Sequence, residues 1–459
     1  RLKFDFGAAL HLDWGNKTFT TQWVHLFNPT LFSQFVLAGS EFTSNFDQVS
    51  ESGEKTFERE NGIQDLSCKA MMSWKPNNQH QTDFGFDFKW NDTWLKMLTT
   101  YQYDPNALPD VKVSSLTSSA YIQDTWDLDE LWTLQPGARL GWYKTLKLKP
   151  EHIASASYLN FDPRVSIRRK LGLNESVYAN FGVFHQYLTL MSLGISTPFD
   201  IWFPLDGSLD PGRSIHYILG YKRQLSNDFA FDIELYYKTY KRLLEYNEAT
   251  DFTWDNTTGQ LADTFHLGDG YTYGADVMLR TAWRGLDGFI GLTLSKTKRK
   301  MEGLNLDPFT GEAVSFYPKY DNSFSLSVVE TFNLSQYTGK QVLGADFKLG
   351  INLALNSGQP GDKPERIYFD GEDYQIIYSY KDRIRLPEYF RLDISTKYEW
   401  VKSWGSIEPY FEVINIFNRK NVGFRNYRLS PGENGEIELV TEDSTQFPLL
   451  PFIGVNVKW

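Results

Sequence analysis

The stretch FAFDIELYY, Phe229–Tyr237, decides how the chain is read. Its odd positions, Phe229, Phe231, Ile233, Leu235 and Tyr237, are apolar, while Asp232 and Glu234 lie between them. Successive side chains of a strand point to opposite faces, so one face of this segment is apolar and the other charged. The same period recurs outward in both directions. Phe390, Leu392, Ile394, Tyr398 and Trp400 alternate with Arg391, Asp393, Ser395, Lys397 and Glu399; Phe347, Leu349, Ile351, Leu353 and Leu355 alternate with Lys348, Gly350, Asn352 and Ala354. No stretch shows comparable spacing at the helical period.

Roughly 18 segments of this kind fill the chain, most of them about 10 to 14 residues long, against about 5 or 6 for an ordinary soluble strand. A tilted strand needs about 9 to 11 residues to cross a bilayer. The connections carry a second pattern, because long and short ones alternate. Long polar stretches lie near 43–57, 97–112, 145–160, 188–212, 241–270, 300–319, 358–386 and 419–447, and tight turns near 28–30, 75–80, 127–130, 172–174, 225–227, 284–286 and 402–405. The stretch 334–343 is less tight but shorter than its neighbours. Sorting of loops by end belongs to transmembrane barrels, with short periplasmic turns and long extracellular loops. The expected fold is therefore all-β, a large antiparallel transmembrane β-barrel filling residues 1–459. The segment from Leu2 fits least well, since Trp14–Lys17 would have to be an unusually short extracellular loop.

Composition agrees. Aromatic residues make up 16% of the chain, and Trp and Tyr favour the two bilayer interfaces; Tyr236, Tyr237, Tyr240, Trp142, Tyr143, Trp400 and Trp404, at strand ends, suit such girdles. The mean hydropathy of -0.42 and the lack of an apolar run near 18 residues exclude a transmembrane helix but not a barrel. A net charge of -11 without a basic cluster larger than Lys296–Lys300 argues against nucleic acid as a partner. The single Cys68 excludes an intrachain disulfide framework. His11, His25, His80, His152, His185, His216 and His266 are scattered, and neither a nucleophile elbow nor a phosphate-cradling loop is present, so no enzyme chemistry, cofactor or metal is expected.

Seven segments, in order, resemble the barrel of TonB-dependent outer-membrane receptors, especially the large Bacteroidota-like kind. They are WGNKTFTTQWVHLFNPTLFSQ from Trp14, NFDPRVSIRRKL from Asn160, YANFGVFHQY from Tyr178, HYILGYKRQLSNDFAFDIELYYKTY from His216, YTYGADVMLR from Tyr271, GFIGLTLSKTKR from Gly288 and EPYFEVINIFNRKNV from Glu408. The resemblance implies a barrel of about 22 strands around a globular plug, so that the first strands, the plug and the TonB-contacting segment are expected ahead of Arg1. It further implies a Gram-negative outer membrane and energised uptake of a scarce nutrient: a siderophore, a cobalamin, an oligosaccharide or a peptide. The partners implied are outer-membrane lipid, the TonB complex, the barrel assembly machinery and a surface lipoprotein lid. The alternatives are a passive or structural barrel within a larger surface assembly and a soluble β-rich carbohydrate-binding protein.

Aromatic residues in the long loops, where lipid cannot account for them, are the candidate ligand contacts: Phe199, Trp202, Phe203, Trp254, Tyr368 and Tyr374, with Phe369 beside the last two. The acidic stretches Asp206–Gly212 and Asp370–Asp373 lack calcium-loop spacing and read as turns. The closing segment FIGVNVKW would place Ile453, Val455, Val457 and Trp459 toward lipid and Gly454, Asn456 and Lys458 inward. Its aromatic end, with Phe452, Val455, Val457 and Trp459, resembles the C-terminal signal by which outer-membrane proteins are recognised for insertion.

Overall fold

The computed structural model describes the chain apart from residues 1, 6–8, 51–52, 100–109, 150–153, 192–200, 247–264, 308, 370, 372–373 and 433–435. Its strands are β1 (Leu2–Asp5), β2 (Ala9–Asn28), β3 (Leu31–Val49), β4 (Lys55–Trp74), β5 (His80–Thr99), β6 (Asp110–Asp127), β7 (Trp132–Lys149), β8 (Ser157–Lys170) and β9 (Glu175–Gln186). There follow β10 (Leu188–Met191), β11 (Ile201–Pro204), β12 (Gly212–Gln224), β13 (Phe229–Tyr246), β14 (Phe265–Trp283), β15 (Leu286–Met301), β16 (Phe324–Asn333) and β17 (Asp346–Asn356). The last are β18 (Pro360–Phe369), β19 (Tyr374–Arg385), β20 (Tyr389–Lys402), β21 (Gly405–Ile414), β22 (Val422–Pro431), β23 (Ile437–Thr445) and β24 (Leu450–Lys458).

Eighteen strands form one antiparallel sheet in which each follows its predecessor: β1 to β9, β12 to β17, β20, β21 and β24. The remaining six pair among themselves as two-stranded ribbons, β10 with β11, β18 with β19 and β22 with β23, each inside a long connection. Most short connections gather at one end of the sheet and most long ones at the other, but the long connection expected at 43–57 shrinks to residues 50–54, because the β3/β4 ladder runs through most of that stretch.

The turn chemistry follows the residues. Asn28 Oδ1 accepts the Thr30 N–H at 2.9 Å, and Asn77 Oδ1 accepts the Gln79 N–H at 2.8 Å. Arg284 and Gly285, both at positive φ (43° and 88°), close the two-residue hairpin between Trp283 and Leu286. The wider turn carries a short helix, α1 (Leu334–Thr338), capped by Asn333 and ended by Gly339 at φ 71°.

Two faces alternate as expected. Around β13, Leu235 and Tyr237 are exposed, as are Leu219 and Tyr217 opposite them on β12, whereas Asp232, Glu234 and Tyr236 are half-buried on the other face. That second face pairs its charges: Lys222–Asp232 at 3.0 Å, Arg139–Asp87 at 3.3 Å, Lys348–Glu399 at 2.6 Å and Arg391–Asp393 at 3.1 Å. Tyr178 lies across Gly220, its partner on β12, and its hydroxyl reaches the Glu234 carboxylate. Tyr236 covers Gly274 in the same way, the absent Cβ making room for a flat ring.

Three expectations need correction. Trp14–Lys17 is no loop: β2 runs through it, with Gly15 opposite Thr43 and Lys17 opposite Glu41, whose side chains pair at 3.2 Å. Strands also outrun the predicted 10–14 residues, reaching 20 in β2, β4 and β5, because the backbone ladder continues past the apolar band, where both faces turn polar and the alternation fades. Finally, neighbouring aromatics cannot share a girdle. Trp142, Tyr237 and Trp404 are exposed, but Tyr143 is only 2% exposed and Tyr236 faces the charged side. At the tight-turn end the exposed ring consists of Trp74, Trp126, Trp283 and Trp404.

Candidate functional site

The long-connection end is built from the ribbons and the strand extensions beneath them. In the β18/β19 ribbon, Phe369 pairs with Tyr374 and Tyr368 with Gln375, so the segment ERIYFDGEDYQ brings three aromatic rings to one tip. Phe369 and Tyr374 lie 5.1 Å apart, and Tyr368 and Tyr374 are 46% and 48% exposed. Rings held this open present flat apolar faces to solvent and are suited to a ligand with apolar or conjugated surface. The neighbouring β22/β23 ribbon is clamped by Arg425, whose Nε and Nη2 meet the two oxygens of Asp443 at 2.6 and 2.8 Å. The guanidinium holds the Asp443 carboxyl below its ordinary range.

A second aromatic group joins the β15–β16 and β17–β20 connections. Asp321, whose side chain is fully buried, receives Arg385 Nη2 at 2.5 Å and the Thr297 N–H at 3.0 Å, while Arg385 Nη1 donates to the Gly358 carbonyl at 3.0 Å. The same guanidinium lies 5.2 Å from the Tyr317 ring, and Lys298 Nζ approaches that ring at 5.1 Å. Beside it Arg299 pairs with Glu245 at 2.8 Å, stands 5.1 Å from the Tyr320 ring and donates to its hydroxyl. The result is a wall of phenols and guanidiniums, where cations stack on ring faces and carboxylates fix them in place. The sequence offered two halves of this signal, the basic run from Lys296 and the tyrosines of FYPKY, 316–320, but no indication that they meet.

The third element is a buried knot. The rings of Tyr143 and Tyr187 stack at 5.1 Å, and Tyr143 and Tyr158 at 6.4 Å. Tyr143 Oη donates to the Leu205 carbonyl at 2.7 Å, and Tyr158 Oη to that of Leu209 at 2.9 Å. Leu205 and Leu209 are thereby packed with Leu95, Val111, Val113 and Phe265. The β10/β11 ribbon approaches β13 on one side and β4 and β5 on the other, strands well separated in sheet order, so it leans inward over the charged face.

The candidate ligand contacts are thus divided. Tyr368 and Tyr374 come together. Trp202 is half-buried opposite Leu190, and Phe203 pairs with Thr189, both in the inward-leaning ribbon. Phe199 and Trp254 lie outside the described residues. Asp206 Oδ1 accepts from the Ser208 N–H at 2.9 Å and Oγ at 2.6 Å, closing a turn. Among the described residues no three His, Cys, Asp or Glu side chains gather as metal ligands. At the closing strand Ile453, Val455, Val457 and, just past its end, Trp459 are exposed on one face, Ile453 at 85% and Trp459 at 95%, while Phe452, also exposed, falls on the other face, where Asn456 donates to Glu408 at 3.0 Å.

Comparison with known proteins accounts for this arrangement. Searching curated protein sequences returned no match. Among solved structures, the ferric preacinetobactin receptor BauA of Acinetobacter baumannii aligns with a TM-score of 0.63 at 13% identity, over 98% of this chain and 63% of that one. The ferric-catecholate import receptor Fiu of Escherichia coli K12 aligns at 0.65 and 13% identity, over 98% and 64%. The ferripyoverdine receptor of the Pseudomonas aeruginosa outer membrane aligns at 0.64 and 12% identity, over 96% and 56%. The chain therefore spans roughly three fifths of the length of these receptors, whose likeness at such identity establishes the fold. The sequence itself matches the family described as "TonB dependent receptor-like, beta-barrel" over residues 2–418. With its lipid-facing strands, charged inner wall and sorted loops, the chain belongs to the TonB-dependent receptor-like β-barrel family of the Gram-negative outer membrane.

Proposed function

We propose that this barrel belongs to an active receptor that takes up a scarce nutrient across the outer membrane, energised through TonB. The observation that carries the reading is the open aromatic tip of Tyr368, Phe369 and Tyr374 at the long-loop end, with the wall of Tyr317, Tyr320, Arg299 and Arg385 at the same end. Flat rings beside guanidiniums favour a ligand that is both conjugated and anionic, and a ferric siderophore fits this better than a neutral oligosaccharide. Support comes from the three solved receptors, which are named for ferric preacinetobactin, a ferric catecholate and ferripyoverdine. In the proposed cycle the loops capture the ligand, TonB pulls on a plug contributed by the rest of the protein, and a path opens along the charged wall. In the same proposal a surface lipoprotein lid closes over that end.

The test uses full-length protein in cells. Tyr368→Ala with Tyr374→Ala should weaken capture about 5- to 150-fold, at about 0.5–1.5 kcal/mol per ring. Uptake of a labelled ferric siderophore should cease without TonB or proton-motive force. Uptake that persists without either would favour the passive barrel.

We further propose that Phe452, Val455, Val457 and Trp459 serve assembly by the barrel assembly machinery. Trp459→Asp should then sharply lower the amount of heat-modifiable barrel in the membrane, and normal assembly of that variant would remove the idea.

A further inference from the structure

On the lipid-facing side of β8, β9, β12 and β13 the register lines up rows of side chains. One row reads Ile167, Ala179, Leu219, Leu235, and the row beyond it Val165, Phe181, Tyr217, Tyr237. Ala179 is the one small residue among them, and these side chains frame an open hollow of about 520 Å³. Nearly every wall atom is hydrocarbon or ring, and in the outer membrane this face meets acyl chains.

Toward the tight-turn end the next rows change character. Arg169, two residues from Ile167 and so about 7 Å along the strand, is exposed, with its guanidinium 5.2 Å from the Trp132 ring directly opposite. Among the described residues it has no carboxylate partner. Arg223 and Tyr221 both turn to Glu175, at 3.8 and 2.9 Å. Arg169 and Arg223 thus stand at the turn end of these strands, with Glu175 the one carboxylate paired with either among the described residues.

We propose that this is a phospholipid site of the turn-side leaflet, in which Arg169 and Arg223 hold the phosphodiester of one glycerophospholipid and the hollow around Ala179 receives an acyl chain. The cationic rim begins one row beyond the apolar hollow on its turn side, the order in which headgroup follows acyl chain. Neither feature alone would select a lipid. Together they match its two halves, whereas a second barrel copy would leave the cations without an anionic partner.

Native mass spectrometry of the full-length protein in detergent, after loading with phosphatidylglycerol and stepwise delipidation, reads the site directly. One phospholipid should survive conditions that strip the rest. Arg169→Gln with Arg223→Gln should lower its retention about fivefold per arginine, and Arg169→Lys should restore part of it. Ala179→Trp, which fills the hollow without touching the rim, should cause a comparable loss. Heat-modifiable gel mobility confirms that each variant is a folded barrel. Equal retention in the native protein and in folded Ala179→Trp and arginine variants would overturn the site. A lipid-free dimer would overturn it as well, by showing that another copy covers the hollow.

Discussion

Leu235→Arg tests the assignment of faces where it is most costly to be wrong. Leu235 is 49% exposed, on the apolar face of β13, six positions beyond Phe229 at the turn end of that strand. Six steps of about 3.3 Å on a strand tilted by about 40° amount to about 15 Å along the barrel axis, near the middle of an apolar band about 25 Å tall. An arginine at that depth costs about 2–4 kcal/mol, or about 30- to 900-fold in the folding equilibrium, and at the band's edge about 0–1 kcal/mol. Leu225, 54% exposed in the turn that precedes β13, is the matched control: equal exposure and the same substitution at a different depth. Guanidinium titration of each variant refolded into phosphatidylcholine vesicles, followed by tryptophan fluorescence, gives the two penalties. Should Leu235→Arg cost no more than Leu225→Arg, then either the face or the depth assigned to Leu235 is wrong, and with it the placement of every row in register with β13.

Gly220→Val probes the opposite face. A Cβ at Gly220 would sit 2.0 Å from the Tyr178 ring, so the ring must leave its place beside Glu234 and Lys222; a loss of about 1–3 kcal/mol is expected in the same titration, largely relieved when Tyr178→Ala is added. The Arg425–Asp443 clamp predicts a pH dependence confined to the β22/β23 ribbon. Because the folded Asp443 carboxyl titrates below its ordinary 3.8, the clamp's contribution, about 0.2–1 kcal/mol for so open a pair, is complete above that value and is lost as pH falls through the lower folded one. Hydrogen exchange in residues 422–445 should rise below about pH 4 in the native protein and should be pH-independent there in Asp443→Asn, apart from the intrinsic exchange rate.

Much of this architecture could be read from residues alone, and the portion that could not shares a physical cause. Lipid acts on every strand alike, so its imprint is local: alternation in FAFDIELYY is sufficient to separate Leu235 from Glu234. Roughly 18 such segments become the eighteen strands of the sheet, and most of the loop lengths sort by end, residues 50–54 being the short exception at the long end. That imprint disappears where lipid does. Beyond the apolar band the ladder of β2 and β3 continues through Lys17 and Glu41 with nothing in the pattern to announce it, and Gly15–Asn16, a turn signal by composition, stays in register with Thr43 and Phe42. A soluble carbohydrate-binding protein would have buried Leu219, Leu235 and Ile453 against a second layer; their exposure together is tolerable only in a membrane.

The long-connection end obeys no such local rule. Tyr143 and Trp142 look equivalent in sequence, yet one carries a girdle-like exposure and the other anchors Leu205 from sixty-two residues away. Arg385 and Asp321 are sixty-four residues apart and meet because β16, β17 and β20 are consecutive in the sheet, which brings the roots of their connections side by side. Which loops touch is therefore set by strand order, and which rings remain open, as at Tyr368 and Tyr374, by how each ribbon turns upon that base. Loop aromatics can be nominated from sequence because lipid does not explain them. Selecting among them requires the order of the strands, and it is that order which places the phenol and guanidinium wall at the open, aromatic end of the barrel.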